Sequence, residues 1–313
     1  MGGLIILSGV IVPTLLWSRL DNAFVILALF SIVWMGIVGF LDDYLKVKRK
    51  MSKGLVAKYK LVGQILLGCI IGTSLYVFSV KDQHAMVTLI PFFKNYAFNY
   101  STWYVYIPMV ALVITATSNA VNLTDGLDGL AIGLVAIACG TYAIICYILG
   151  RVTTAEYLNV FYIPGCGELT VFSLSIVGAS LGFLWYNFHP AKVFMGDTGA
   201  LPLGGLLGLL AVVARQELLL VIVGGVFVVE AVSVILQVGS YKWRRQRVFL
   251  CAPLHHHFQL NGVAENKIVV RFWIASALCA LLGVASLKLS VNDPPQAPIP
   301  IPVTAAKTPT LTH

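Results

Sequence analysis

The chain has 313 residues, of which 58% are hydrophobic and only 11% charged, and its mean hydropathy is +0.88. Soluble domains carry roughly 25% charged residues, so the composition excludes a soluble globular protein and predicts an all-α polytopic integral membrane protein. A net charge of +8 would suggest nucleic acid in a soluble chain; here it predicts basic loops on anionic lipid, and no nucleic-acid partner.

A spanning helix needs about 20 mostly apolar residues. Nine segments qualify in chain order: residues 3–17, 23–41, 61–80, 103–121, 129–149, 170–187, 199–214, 218–239 and 268–287. The first is short and contains Pro13. No basic stretch precedes it, so no cleaved signal peptide is expected. The six cysteines form no C-x-x-C pair, and Cys69, Cys139, Cys146 and Cys279 lie in apolar runs, which argues against a disulfide framework or a zinc site. Residues 1–289 read as one transmembrane catalytic domain. Residues 290–313 hold Pro294, Pro295, Pro298, Pro300 and Pro302 and read as a disordered tail.

Alternate connections divide the basic residues unequally. One set holds thirteen, including the run from Lys46 to Lys60 and the stretch from Lys242 to Arg247; the other holds seven. The positive-inside rule assigns the richer set to the cytoplasm. Every dense polar motif then falls on that face. The opposite loops, such as 81–102, are aromatic and read as interfacial caps.

The first motif is Asp42-Asp43, at the end of the second span. Adjacent acids point to different faces of a helix, and the basic run begins one turn later, an arrangement suited to an anionic substrate held with a metal. The plainer reading is a stop-transfer boundary with solvated charges. The second motif is Val121-Asn-Leu-Thr-Asp-Gly-Leu-Asp-Gly-Leu-Ala131. Asn122, Asp125 and Asp128 recur every three residues and would share one helix face. No Lys or Arg lies near them in sequence, so their counter-charge must come from a distant loop, a metal, or both. Two solvated acids in a polar loop are the alternative.

The third motif runs from Asn187 to Leu201. Asp197 precedes a helix, where Thr198 could support an N-cap and the helix terminus would favour anions. Phe194 could stack on a flat ring. The fourth is Pro253-Leu-His255-His256-His257-Phe258. Contiguous histidines do not present one face to zinc, so contact with phosphate or sugar is expected of them. Collected acids, lysines and histidines on one face suggest phosphoryl transfer with Mg2+, an oxygen-seeking ion. Glu230 and Gln237 stand alone inside a span, Glu230 as a helix-packing partner or a lipid-groove residue.

Four segments in this order, Leu41-Asp-Asp-Tyr-Leu-Lys46, Asn119 to Ala131, Val193 to Gly199 and Pro253 to Phe258, resemble the bacterial phospho-N-acetylmuramoyl-pentapeptide transferases. The likeness runs from Met1 to about Leu289. It implies transfer of phospho-N-acetylmuramoyl-pentapeptide from its UDP carrier to undecaprenyl phosphate, giving UMP and lipid I, the first membrane step of peptidoglycan synthesis, in the bacterial cell membrane. It further implies Mg2+ on Asp197, Asp42 as base or nucleophile with Asp43 beside it, and Asn122, Asp125, Asp128 and Asn187 about the nucleotide and pyrophosphate. Phe194 would stack on uracil, His255, His256 and His257 would serve the sugar-phosphate side, and Lys46 and Lys58 would meet phosphate charge. A homodimer of ten-helix chains is implied, with the helix matching 218–239 bent beside a lipid groove. The family pattern places a further helix and a Lys-x-x-Thr-Pro-Thr-like loop before Met1-Gly-Gly, and Gln259 and Phe188 depart from the usual residues. Two other functions fit the composition. A UDP-N-acetylglucosamine phosphotransferase is disfavoured by the histidine motif. A transporter is disfavoured because the acids gather at one surface and not at the bilayer midplane.

Overall fold

The computed structural model describes residues 2–48, 55–79, 87–100 and 102–288. The Pro-rich tail expected to be disordered lies outside them. Twelve helices are present among the described residues. In chain order they are α1 Gly3–Trp17, α2 Ala23–Lys48, α3 Ala57–Ser79, α4 Trp103–Thr124, α5 Leu130–Leu149, α6 Val152–Tyr157, α7 Glu168–Asn187, α8 Asp197–Val213, α9 Glu217–Val223, α10 Gly225–Arg244, α11 Leu254–Leu260 and α12 Glu265–Lys288. Seven of them, α2, α3, α4, α5, α7, α10 and α12, are long and apolar enough to cross a membrane. The chain is a multi-pass, all-α membrane protein with one small hairpin.

The nine expected segments differ from this in three ways. α1 and α8 are helical and apolar but have only 15 and 17 residues. The segment expected over 218–239 is broken at Gly224, which leaves the seven-residue α9 ahead of α10. α2 continues past residue 41 to Lys48 and α4 continues to Thr124, so Asp42, Asp43 and Asn122 belong to helices.

α8 is the axis of the bundle. All its residues after Asp197 are buried, and it packs against α1, α2, α4 and α5. A helix of 17 residues is about 26 Å long, shorter than the hydrocarbon layer of roughly 30 Å; surrounded by other helices, it does not have to span that layer alone. Its small residues allow the close approach. A Cβ on Gly204 would lie 2.5 Å from the Thr117 carbonyl oxygen of α4. On the α2 side, a Cβ on Gly39 would lie 2.2 Å from the Asp197 carbonyl oxygen.

At the end of α8 away from its N-terminus, residues 87–99 of the aromatic segment form an antiparallel hairpin. Strands β1 Val87–Ile90 and β2 Phe93–Asn99 pair there. Leu89 donates its N–H to the Arg215 carbonyl at 3.1 Å. The Thr88 hydroxyl donates to the buried Glu217 carboxylate at 2.7 Å.

The α2–α8 contact yields a stability test. Gly39→Ala should lower the thermal unfolding temperature in detergent, at a cost of about 1–3 kcal/mol for overpacking. Gly182→Ala, where a Cβ meets nothing within 4 Å, should be neutral or slightly stabilising. Equal behaviour of the two variants would refute the close packing.

Candidate active site

The N-terminus of α8 must satisfy its first N–H groups inside a nearly closed bundle. Its N-cap, Gly196, has no side chain to do so, and its φ of +66° is open to glycine. Asp43 of α2 supplies the cap. Its Oδ2 accepts the Thr198 N–H at 2.9 Å and the Thr198 hydroxyl at 2.6 Å, and its Oδ1 accepts the Asp197 N–H at 3.3 Å. Thr198 supports this cap, its hydroxyl donating to the Asp43 carboxylate. The terminus favours an anion, as expected of a helix N-terminus, and the Asp43 carboxylate is the anion it holds.

Asp42, one residue away, faces a different partner set, as adjacent helix positions must. Its carboxylate is fully buried. Oδ1 accepts the Leu55 N–H at 2.7 Å, and the Lys46 ammonium, one turn on, sits against Oδ2. Lys60 of α3 lies 3.5 Å from Asp42 and 2.9 Å from Asp197 Oδ2, and Lys46 reaches that oxygen at 3.3 Å. Asn122 Nδ2 donates to Asp197 Oδ1 at 2.9 Å. Two carboxylates and two ammoniums thus alternate in one cluster, the pairing that charges in low dielectric require.

Asp125 closes α4 next to this cluster and is half-buried. Burial, with the charges of Asp197 and Asp43 nearby, pushes its carboxyl up to about 7. Carboxylate oxygens of Asp42, Asp43 and Asp197 lie within 4.8 Å of one another and could hold a cation.

Other residues singled out in the sequence serve the loops around the cluster. The Asn187 amide accepts the Gly129 N–H at 3.1 Å and donates to the Val193 carbonyl at 2.8 Å. Asp128 Oδ2 accepts the Ala191 N–H at 2.9 Å and lies 3.2 Å from His189 Nδ1. The Asp128 N–H donates to Glu265 Oε1 at 2.9 Å. The expected stacking of Asn122, Asp125 and Asp128 on one helix face is therefore replaced by a break at Asp125, with Asn122 turned to Asp197 and Asp128 to His189 and Ala191. Phe194 is exposed, its ring available.

The three histidines have different partners, although the His255 and His256 rings pack together with centroids 4.2 Å apart. His255 is buried against Glu230, His256 lies 3.1 Å from Gln259 Oε1, and His257 Nδ1 accepts the Leu250 N–H at 3.2 Å.

Lys58 is exposed, and no ion pair or hydrogen bond links it to the cluster among the described residues. Lys60 is the α3 lysine that meets the acids. Two residues along a helix turn the side chain by about 200°, so only one of the pair can face the acids. Sequence reasoning also passed over His189 and Glu265. His189 lies in the third motif with no acidic partner near it in sequence, and Glu265 is brought in only by the packing of α12.

The helical membrane bundle carries a charge-balanced carboxylate and ammonium cluster at the head of its central helix, and the chain belongs to glycosyl transferase family 4, which matches residues 25–215 and makes it a membrane transferase. The curated relatives narrow this. A phospho-N-acetylmuramoyl-pentapeptide-transferase of Pelobacter propionicus is 53% identical over 92% of this chain and 79% of its own length. Enzymes of the same name from Gemmatimonas aurantiaca and a Geobacter species are 52% and 54% identical, again over 92% of this chain and over 80% and 79% of theirs.

Three outcomes are expected of the site. Asp43→Asn should destabilise the fold by about 1–2 kcal/mol, the loss of a charged cap, read as a lower thermal unfolding temperature; lost turnover with unchanged stability would refute the capping role. Lys60→Met should abolish most transferase turnover while Lys58→Met retains it, and the reverse order would refute the cluster as described. Asp125 gives a pH dependence. Its folded pKa lies above the ordinary carboxylate value, so the folded state binds more protons between about pH 4 and 7 and loses stability as the pH rises through that window. Asp125→Asn should flatten this slope in thermal unfolding without divalent cations, and an unchanged slope would count against it.

Proposed function

We propose that the protein transfers phospho-N-acetylmuramoyl-pentapeptide from a UDP carrier to undecaprenyl phosphate on the cytoplasmic face of the bacterial membrane, releasing UMP and forming lipid I. The observation that carries the reading is the cluster of Asp42, Asp197, Lys46 and Lys60, in a chain about half identical to enzymes named for that transfer. A homodimer is part of the same proposal.

Both substrates are anionic at the reacting phosphates, so the main task is positioning and charge neutralisation. Lys46 and Lys60 stand between two carboxylates and supply positive charge where the phosphates meet. Asp42 lies in the last two turns of α2, at a height that suits the headgroup of a lipid whose tail stays in the bilayer. Its proposed role is to orient or deprotonate the acceptor phosphate. At neutral pH that phosphate already carries most of its charge, so proton removal is a partial requirement. Direct attack of an acceptor oxygen on the sugar-linked phosphorus, with UMP leaving, needs no covalent phospho-enzyme. Asn122, Asp125 and the exposed Phe194 are proposed to meet the nucleotide, and His255 the sugar-phosphate side.

The residues fit a magnesium ion. Mg2+ takes oxygen ligands through one or two carboxylates, and because Asp43 is engaged with α8, Asp197 and Asp42 are the groups that would hold it. Bound there, it would supply further positive charge to the donor pyrophosphate.

The decisive assay is Mg2+-dependent release of UMP from UDP-N-acetylmuramoyl-pentapeptide, with and without undecaprenyl phosphate. Release that requires the lipid is expected, and no release under either condition overturns the reading. Asp197→Asn should remove the metal dependence in a folded protein. Asp42→Asn should lower turnover at least a hundredfold, about 3 kcal/mol of transition-state stabilisation, while direct binding of the UDP substrate stays nearly unchanged. Parallel loss of binding and turnover would make Asp42 a ground-state ligand.

A further inference from the structure

Glu230 and Gln237 are polar residues of α10 that the cluster does not use. They are two turns apart and share one stripe of the helix. Both turn onto the segment that carries the histidines. Gln237 Oε1 accepts the N–H groups of Val248 and Phe249 at 3.0 and 2.9 Å, and its Nε2 donates to the Phe249 carbonyl at 2.9 Å. Glu230 is fully buried. Its Oε1 accepts the His255 N–H at 3.1 Å, and its Oε2 lies 3.1 Å from His255 Nδ1. Glu230 is thus a helix-packing partner, as its position suggested, bonding His255 of α11, while Gln237 holds the loop ahead of that helix.

His255 is fully buried as well, yet its Nε2 has no hydrogen-bond partner. That nitrogen rests on Gly126, where a Cβ would come within 2.3 Å of it. The glycine is the only residue type that leaves room for the ring. The second nitrogen therefore points at the turn between Asp125 and Asp128, at the site, with nothing of the protein to bind.

We infer that Glu230 is a positioning residue for His255, fixing its Nδ1–H tautomer and leaving Nε2 aimed across Gly126 into the Asn122–Asp128 turn. A neutral imidazole carries one N–H, and the bond made by one nitrogen decides the state of the other. An ionised carboxylate can only accept, so Nδ1 must hold the proton opposite Glu230. Nε2 then offers a lone pair to a substrate hydroxyl. The buried Glu230–His255 pair is strong because water does not compete. The significance of this aim for catalysis rests on the phosphosugar-transfer reading; the tautomer itself does not.

The test uses the full chain in lipid nanodiscs, labelled with 15N-histidine, with the His255 signal assigned by its loss in His255→Gln. Neutral His255 should show a protonated Nδ1 and an unprotonated Nε2; a protonated Nε2 or an even mixture overturns the inference. Glu230→Gln should lose the single tautomer and lower transfer by about tenfold to a hundredfold, the usual effect of removing such a partner, with little change in KM for the UDP substrate. In the His255→Gln background, Glu230→Gln should cost nothing further; a full additional loss would mark Glu230 as a general structural residue and overturn the assignment. If Glu230→Gln does not fold, the wild-type spectrum still decides. A wild type with the expected tautomer but no transfer activity would overturn the functional reading and leave the positioning role standing.

Discussion

The capping of α8 by Asp43 is the contact on which the rest of the site depends. A helix buried among other helices has no water for its leading N–H groups, and leaving them bare costs several kcal/mol. Gly196 permits the sharp backbone entry but cannot cap, so a carboxylate from α2 is required. Once Asp43 is anchored on Thr198, the pitch of α2 dictates where Asp42 points. It faces Lys46 one turn on and Lys60 across on α3, and Asp197 on the neighbouring helix joins the same cluster. The cap therefore sets both the registry of two helices and the geometry of the charged residues.

Charge balance is the second consequence. Asp42 and Asp197 would repel each other if unpaired, and the two lysines separate and neutralise them. A site built this way tolerates incoming phosphate, because the ammoniums can be shared between protein carboxylates and substrate oxygens. Asp125, held where its charge is disfavoured, stands beside this balanced group. The supporting loops are tied down separately. Asn187 bridges Gly129 and Val193, Asp128 holds Ala191 and His189, and α10 clamps the histidine segment through Glu230 and Gln237. The polar motifs thus divide into residues with oxygens and nitrogens facing the cluster and residues whose polar atoms are spent on loops.

Much was legible in the sequence because a bilayer imposes simple rules. Runs of apolar residues announce the helices, and alternate connections collect the polar motifs at one end. The adjacent acids at 42 and 43 were expected to have different partners, and they do. The contiguous histidines each find a separate partner, in Glu230, Gln259 and the Leu250 N–H. The helices and the separate facing of Asp42 and Asp43 follow from local periodicity and backbone hydrogen bonding, which need no distant partner.

What the sequence could not determine were the pairings between segments. Lys58 and Lys60 carry the same charge two residues apart, and only the rotation of α3 decides that Lys60 meets Asp42 and Asp197. Glu230 reads as a solitary acid in an apolar run until the fold returns His255 to it from 25 positions along the chain. α8 appears as one more span, and only packing on every side makes it the buried axis whose N-terminus needs another helix's carboxylate. The sequence by itself determined the membrane class, the helices and the chemistry available at one end of them, because hydrophobicity and helical period are local properties. The tertiary structure decided which of those groups touch, because hydrogen bonds and ion pairs depend on the rotation and depth of helices that chain order leaves open.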